Sequence, residues 1–83
     1  MPFTVYILQS LKDQSFYIGS TSDMERRLQE HNQGLSAYTS TKTPWRVAYT
    51  ELYETRTEAM KREAFLKRQR NKVFYQRLID SNK

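Results

Sequence analysis

The sequence predicts an α+β fold in which a small three-stranded antiparallel sheet is flanked by helices. Two short β-branched and aromatic runs, residues 3–8 and 16–19, lie close enough together to form a hairpin. A third run of high strand propensity covers residues 45–53, and two capping-box spacings predict helices that begin near residues 23 and 56. With 83 residues, the chain is expected to form a single domain, residues 1–83, around a small core.

The predicted hairpin has a register that follows from its turn. If residues 11–14 form the turn, Tyr6 lies opposite Gly19 and Leu8 lies opposite Tyr17. Tyr6 and Tyr17 then occupy diagonal positions on one face, roughly 7–8 Å apart. We expect Gly19 to leave open space beside them in which a phosphate could sit. The opposite face is predicted to be core, because alternation places on it Phe3, Val5, Ile7, Phe16 and Ile18.

The first helix is predicted from its capping residues. Ser22 and Glu25 have the spacing of a capping box, so the helix should begin near Asp23, and Gly34 is placed to end it. Met24 and Leu28 are four residues apart and form a narrow apolar stripe on this helix.

Arg27 and His31 are four residues apart and therefore share one face of this helix. Because the helix follows Gly19 closely, that face can fold back against the tyrosines of the hairpin. The alternative is that Arg27 is a surface arginine paired with a carboxylate, and that His31 interacts with the dipole at the helix C-terminus.

The third strand follows a loop. Residues 33–43 are rich in Ser, Thr and Gly, which predicts a loop, and its Tyr38 is expected to pack rather than react. Strict alternation along residues 45–53 predicts one face that carries Trp45, Val47, Tyr49 and Tyr53, and another that carries Ala48, Thr50 and Leu52.

The second helix contains a carboxylate in an unusual place. Glu63 shares a face with Ala59, Met60 and Leu66, so it lies within an apolar stripe. A carboxylate in such a position is costly unless it is paired, hydrogen-bonded or bound to a cation. Two interpretations remain open: a glutamate at the edge of the stripe that pairs with a lysine or arginine, or a ligand of Mg²⁺, which prefers oxygen ligands.

The C-terminal part of the chain is strongly basic. The formal net charge is +5, and residues 56–83 carry nine of the fourteen basic side chains but three of the nine acidic ones. We expect a helix break near Asn71. The charge favours contact with nucleic acid, and the alternative is a solvated helix face. The candidate contacts are Lys67, Arg68, Arg70, Lys72 and Arg77.

Composition excludes several classes of site. The absence of cysteine excludes a disulfide framework and a thiolate metal site, and a single histidine excludes a multi-histidine zinc site. No apolar run approaches the ~20 residues that span a bilayer, and no signal segment precedes the first strand. We therefore expect a cytoplasmic protein with no membrane contact, and a monomer is favoured.

Several ordered blocks of the chain resemble the GIY-YIG nuclease superfamily. Val5-Tyr6-Ile7 and Tyr17-Ile18-Gly19 are similar to its two-part signature, although Val5 stands where the first signature glycine is usual. The resemblance is strongest to the small stand-alone bacterial members, and it continues in order through Arg26-Arg27-Leu28, His31-Asn32, Tyr38-Thr39, Pro44-Trp45 and residues 58–63.

The resemblance implies a phosphodiesterase site and a divalent ion, Mg²⁺ or another. Tyr6 and Tyr17 would position or activate water, Arg27 would bind the phosphate, and His31 would help to activate water or Tyr6. Glu63 would be the metal ligand. Because a tyrosine of pKa near 10 is a poor base at neutral pH, a nearby cation must lower the pKa of whichever tyrosine accepts a proton.

Three functions remain compatible with the sequence. The first is a Mg²⁺-dependent endonuclease that acts on DNA, or on RNA. The second is a nucleic-acid-binding module that cuts little by itself and takes its specificity from a protein partner. In the third, a structural or protein-interaction domain, the signature residues are merely core.

Overall fold

The computed structural model describes residues 2–35 and 37–81. It confirms the predicted fold class, a three-stranded antiparallel sheet with helices, in the strand order β2-β1-β3. In chain order the elements are β1 (Phe3–Ser10), β2 (Phe16–Thr21), α1 (Met24–Asn32), α2 (Ala37–Ser40), β3 (Trp45–Tyr53), α3 (Arg56–Gln69) and α4 (Lys72–Ser81). None of the helices in the described residues is long and apolar enough to cross a bilayer.

The hairpin has the predicted register. Tyr6 is paired with Gly19 and Leu8 with Tyr17. Both strands are two residues longer than their propensities predict, because Ser10 pairs with Trp45 of β3 and Thr21 pairs with Thr4. Neighbouring strands therefore extend β structure into polar residues that would not form it alone.

Helices cover both faces of the sheet. On one face, α3 and α4 contribute Ala59, Leu66 and Tyr75 to a core that also contains the predicted hairpin residues. On the other face, Met24 and Leu28 of α1 pack against a second cluster that consists of Tyr6, Leu8 and Trp45 with Tyr17 and Val47 beside it. The candidate side chains of β1 and α1 belong to this second layer.

The prediction of strict alternation along β3 is wrong. The register between β1 and β3 shifts between Ile7, which pairs with Tyr49, and Leu8, which pairs with Val47. Ala48 is therefore the extra residue of a β-bulge, and such a bulge reverses which face later side chains occupy. As a result, Val47 packs in the layer of Tyr6, whereas Tyr49 packs on the opposite face.

An ion pair with additional hydrogen bonds connects the C-terminal half of β3 to α3. Arg62 donates two hydrogen bonds to Glu51, of 2.9 and 3.0 Å, and the phenols of Tyr49 and Tyr53 donate to the same carboxylate over 2.6 and 2.8 Å. Burial opposes the charged form of Glu51, but these four bonds hold the pKa of its carboxyl below the ordinary value. This cluster was not predicted from the sequence.

The helix ends differ from the predictions at one position. Asp23 caps α1 by accepting a hydrogen bond from the Arg26 amide over 3.1 Å, so Ser22 is not the cap. Gly34, with φ +77°, follows the end of α1 as predicted. The predicted capping box between Thr55 and Glu58 is confirmed by two hydrogen bonds of 2.9 and 3.2 Å.

The predicted break between α3 and α4 is also confirmed. Arg70 is left-handed, with φ +45°, and the Asn71 side chain accepts hydrogen bonds from the Val73 and Phe74 amides. The buried hydroxyl of Tyr75 donates to the Leu66 carbonyl over 2.6 Å and accepts from the Arg70 amide over 3.2 Å. Hydrogen bonds to the end of α3 and to the start of α4 thus fix the position of the break.

Candidate active site

A buried hydrogen-bonded row runs through the layer between α1 and the sheet. The Tyr6 hydroxyl lies 3.2 Å from Nε2 of His31, and Nδ1 of the same ring lies 2.8 Å from Oγ1 of Thr39. All three side chains are 0–1% exposed. Burial, aided by the positive charge of Arg27, lowers the pKa of His31 below its ordinary value, so the imidazole is neutral at pH 7.

The depressed pKa of His31 makes stability depend on pH. The unfolded chain binds a proton near pH 6.5, while the folded chain binds it only at lower pH. The free energy of unfolding should therefore be at its full value above about pH 6.5 and fall as the pH drops below it. Urea unfolding between about pH 7.5 and 5.5 measures this slope.

A His31→Gln variant is the control, because glutamine does not titrate in that interval. Carboxylates with lowered pKa values, such as Glu30 and Glu51, titrate below about pH 4.5 and do not interfere. A wild-type stability that stays constant or rises towards pH 5.5 would contradict the prediction.

Tyr6 fills the space above the signature glycine. A Cβ atom on Gly19 would lie 2.6 Å from Cζ of the Tyr6 ring, which is far inside van der Waals contact. The expectation of open space for a phosphate beside Gly19 is therefore wrong. Because Gly19 has no side chain, the Tyr6 phenol can lie over β2, which is one of the two edge strands of the sheet.

Tyr17 joins this layer through its ring. Its centroid lies 4.9 Å from that of His31 and 6.5 Å from that of Tyr6, and it makes edge contacts with Tyr38 and Trp45. Tyr17 is half-buried, so it has access to solvent. The two signature tyrosines and the histidine are thus brought together as predicted by the hairpin register and the face of α1.

Arg27 lies at the rim of the same layer. It donates a 3.0 Å hydrogen bond to Glu30, and about a third of its side chain is exposed. Burial raises the pKa of Tyr6 above its ordinary value, and Arg27 lowers it without overcoming that effect. Tyr6 is therefore protonated at neutral pH.

Glu63 approaches the edge strand from the other face of the sheet. Its Oε1 accepts a 2.5 Å hydrogen bond from the Ser20 hydroxyl, and its Oε2 lies 2.6 Å from Nζ of Lys67. Ser20 pairs with Val5 and so points towards the core face, opposite to Tyr6. Glu63 is still near enough to Tyr6 for its charge to raise the phenol pKa further. Tyr6, Tyr17 and His31 therefore meet in one layer, whereas Glu63 reaches β2 from the opposite face of the sheet, through Ser20.

The apolar stripe around Glu63 is only partly as predicted. Ala59 and Leu66 are buried, but Met60 is 53% exposed, and it lines a cleft beside Glu63 together with Arg56. Glu63 itself is 21% exposed. The carboxylate pairs with a lysine, as the first interpretation predicts, and it also borders an open cleft, which leaves room for the second.

The donor set around Glu63 fits a divalent ion that is bound weakly and completed by water and phosphate oxygens. Within residues 2–35 and 37–81 there is no group of three His, Cys, Asp or Glu side chains that could enclose a metal by itself. Glu63 offers a carboxylate and Ser20 a hydroxyl, both hard oxygen ligands, and the Lys67 ammonium already places a positive charge on that carboxylate.

The predicted basic residues are all on the surface, but Lys67 has a second role. Lys67, Arg68, Arg70 and Lys72 are exposed. Lys67 is the partner of Glu63, and it also lines a cavity with Tyr17.

Three contributors to the site were missed in the sequence. Thr39 fixes one nitrogen of the histidine, Ser20 holds the glutamate, and Glu30 holds the arginine. Thr39 belongs to a block that carries the resemblance and Ser20 directly follows one, and this is the signal that could have found them. Glu30 lies three residues after Arg27, a spacing at which helical side chains meet.

Comparisons with known proteins agree with this architecture. The sequence profile described as the GIY-YIG catalytic domain matches residues 2–77. A UPF0213 protein of Streptococcus pneumoniae is 43% identical over 67 residues, 80% of this chain and 67% of the relative. One from Listeria welshimeri is 44% identical over 73 residues, 84% and 80% of the two chains. The NMR structure of a UPF0213 protein from Bacillus halodurans has a TM-score of 0.59 at 33% identity, covering 96% of this chain and 84% of that one.

Proposed function

This chain belongs to the GIY-YIG family, and from that membership we propose that it is a divalent-metal-dependent endonuclease that hydrolyses phosphodiester bonds in DNA. The observation that carries the proposal is the buried row from Tyr6 through His31 to Thr39, with Arg27 at its rim and Glu63 across the edge strand. An uncharged imidazole beside a phenol, with charged groups nearby, matches what phosphodiester hydrolysis requires.

The row offers a path for a proton from Tyr6 to His31, so Tyr6 can take part in catalysis although it is protonated in the resting protein. With Nδ1 of His31 donating to Thr39, Nε2 is free to accept the Tyr6 hydroxyl proton. The Tyr6 oxygen can then take a proton from the attacking water. A raised phenol pKa is compatible with this transfer, because Tyr6 passes its own proton on as it receives another.

The remaining residues act on the phosphate. Arg27, exposed at the rim, would pair with the non-bridging oxygens, and Tyr17 would position the water beside Tyr6. Glu63 and Ser20 would hold the divalent ion, which would supply positive charge to the phosphate and leaving oxygen. The exposed basic residues Lys67, Arg68, Arg70 and Lys72 would contact the DNA backbone.

Cleavage of labelled DNA in Mg²⁺ and in EDTA tests the proposal. Cutting in Mg²⁺ that stops in EDTA and on replacement of Glu63 is expected. A second candidate, a binding module that depends on a partner for activity, is favoured by one contact: Lys67 and Ser20 occupy both carboxylate oxygens of Glu63 in the free chain. Salt-sensitive DNA binding without cutting would support it and contradict the first.

Lys67 is expected to weaken metal binding. An ammonium at 2.6 Å competes with a divalent ion for Glu63, but the lysine is 51% exposed, so the pair is worth little. We expect Lys67→Met to tighten Mn²⁺ binding to the DNA-free chain about two- to fivefold, as removal of an exposed ion pair implies. Paramagnetic broadening of the Ser20 and Glu63 amide signals measures this affinity.

Lys61→Met is the matched control, because it removes one positive charge from an exposed position on the same helix. An equal change in Mn²⁺ affinity in both variants would show a general charge effect and contradict a specific competition at Glu63.

A further inference from the structure

A cleft opens beside Tyr17, between β2, α2 and the junction of α3 and α4. It consists of two adjoining cavities of about 280 and 260 Å³. Phe16, Tyr38 and Tyr75 line both of them, so the two form one continuous cleft with aromatic walls. None of these three residues has a role in the proposed hydrolysis.

One wall of this cleft is rigid. Tyr75 is 7% exposed and its hydroxyl is held by the Leu66 carbonyl and the Arg70 amide. The Phe16 ring packs edge-on against it at 5.7 Å. Phe16 is half-buried, so its ring supplies the accessible aromatic surface of this wall, and Tyr75 holds that ring in place.

The other wall of the cleft is the ring of Tyr38, which lies outside the core. Tyr38 is 58% exposed, so its ring is accessible from solvent. Its edge contact with Tyr17, at 5.9 Å and 90°, and the Lys42 ammonium 5.8 Å from its centroid hold it in place. Tyr38 lies in the short helix α2, within the segment predicted to be a loop, and it packs against Tyr17 as expected.

Positive charges stand at both ends of the cleft. Lys67 lines the cavity that contains Tyr17, and Arg70 and Lys72 line the other. Aromatic walls between cations match a nucleotide, whose base has an apolar face and whose two phosphates are negative. A nucleic-acid strand repeats that alternation at every residue.

We propose that this cleft takes one unstacked nucleobase of the strand being cut, next to the phosphodiester at Tyr17, while Lys67 and Lys72 contact the phosphates on its two sides. The inference rests on the proposed nuclease function and names the part of the substrate that this chain selects. A base enters the cleft only where the strand can unstack, so local deformability of the substrate determines where the protein binds.

Binding of a fluorescent single-stranded oligonucleotide in EDTA tests the inference without cleavage. An abasic site is placed at each position in turn. Wild type should lose about tenfold in affinity at one position only, the loss typical of one base–aromatic stack. Tyr38→Ala should lose a similar factor with the intact strand and nothing more with the abasic one, and Tyr38→Phe should behave as wild type.

Leu52→Ala is the control, since Leu52 is 68% exposed on β3, the opposite edge strand. The inference would be overturned if wild type lost affinity equally at every abasic position. It would also be overturned if the abasic site and Tyr38→Ala each reduced affinity independently, so that their effects simply added. If DNA is cut in Mg²⁺ but the abasic site and Tyr38→Ala show no such coupling, that is, if their effects on affinity add, the inference fails and the nuclease function stands. If the coupling is present and cutting is not, the cleft is supported and the nuclease function fails.

Discussion

Replacing Glu63 by glutamine is expected to lower the rate of Mg²⁺-dependent DNA cleavage by about a thousandfold, the upper end of what one lost electrostatic contact costs. Glutamine keeps the shape of the side chain and can still accept the hydrogen bond from Ser20, so the fold should persist. What disappears is the negative charge that would attract the divalent ion. Single-turnover cleavage at saturating protein measures the effect on chemistry separately from binding.

The matched control is Glu54→Gln, which removes one carboxylate from an exposed position just before α3. Its rate should stay within about twofold of wild type, because an exposed charge away from the site contributes little. Cleavage by Glu63→Gln at the wild-type rate would contradict the assignment of Glu63 as metal ligand. A rate lost equally in Glu54→Gln would show that the effect is not local.

Gly19→Ala is expected to destabilise the fold by about 1–3 kcal/mol, the usual cost of forcing a methyl group into a filled space. The new Cβ would lie 2.6 Å from the Tyr6 ring, and Tyr6 cannot move aside easily because it is 1% exposed and hydrogen-bonded to His31. Since small domains have only about 5–15 kcal/mol of stability, this loss is large. Urea unfolding gives its value.

A double-mutant cycle identifies the cause. Tyr6→Leu removes the ring atoms with which the alanine collides, so Gly19→Ala should be nearly neutral in that background. A coupling energy beyond about 0.5 kcal/mol would show direct contact. Equal costs in both backgrounds would mean that backbone effects, and not the Tyr6 ring, explain the glycine.

Local signals predicted much of this fold. The turn between β1 and β2 fixed which residues face each other, and the spacing from Arg27 to His31 placed both on the face that meets the tyrosines. Thr55 and Asn71 cap their helices through neighbours two or three residues away. Such interactions involve residues close in sequence, so spacing alone reveals them.

Long-range contacts explain the errors. The bulge at Ala48 depends on how β3 fits against β1, and nothing in the nine residues of β3 indicates it. The filled space above Gly19 results from the direction of the Tyr6 ring, which the pairing of the two residues does not determine. The partners of Glu63 come from β2 and from one turn further along α3, and spacing predicts only the second.

The extra residue at Ala48 gives β3 two separate attachments. Before it, Trp45 and Val47 belong to the layer of Tyr6, and after it, Glu51 holds Arg62, the immediate neighbour of Glu63. β3 therefore contacts both the layer of Tyr6 and, through Arg62, the helix that carries Glu63. Because the bulge decides which face Glu51 occupies, the pairing of Glu51 with Arg62 depends on that one extra residue.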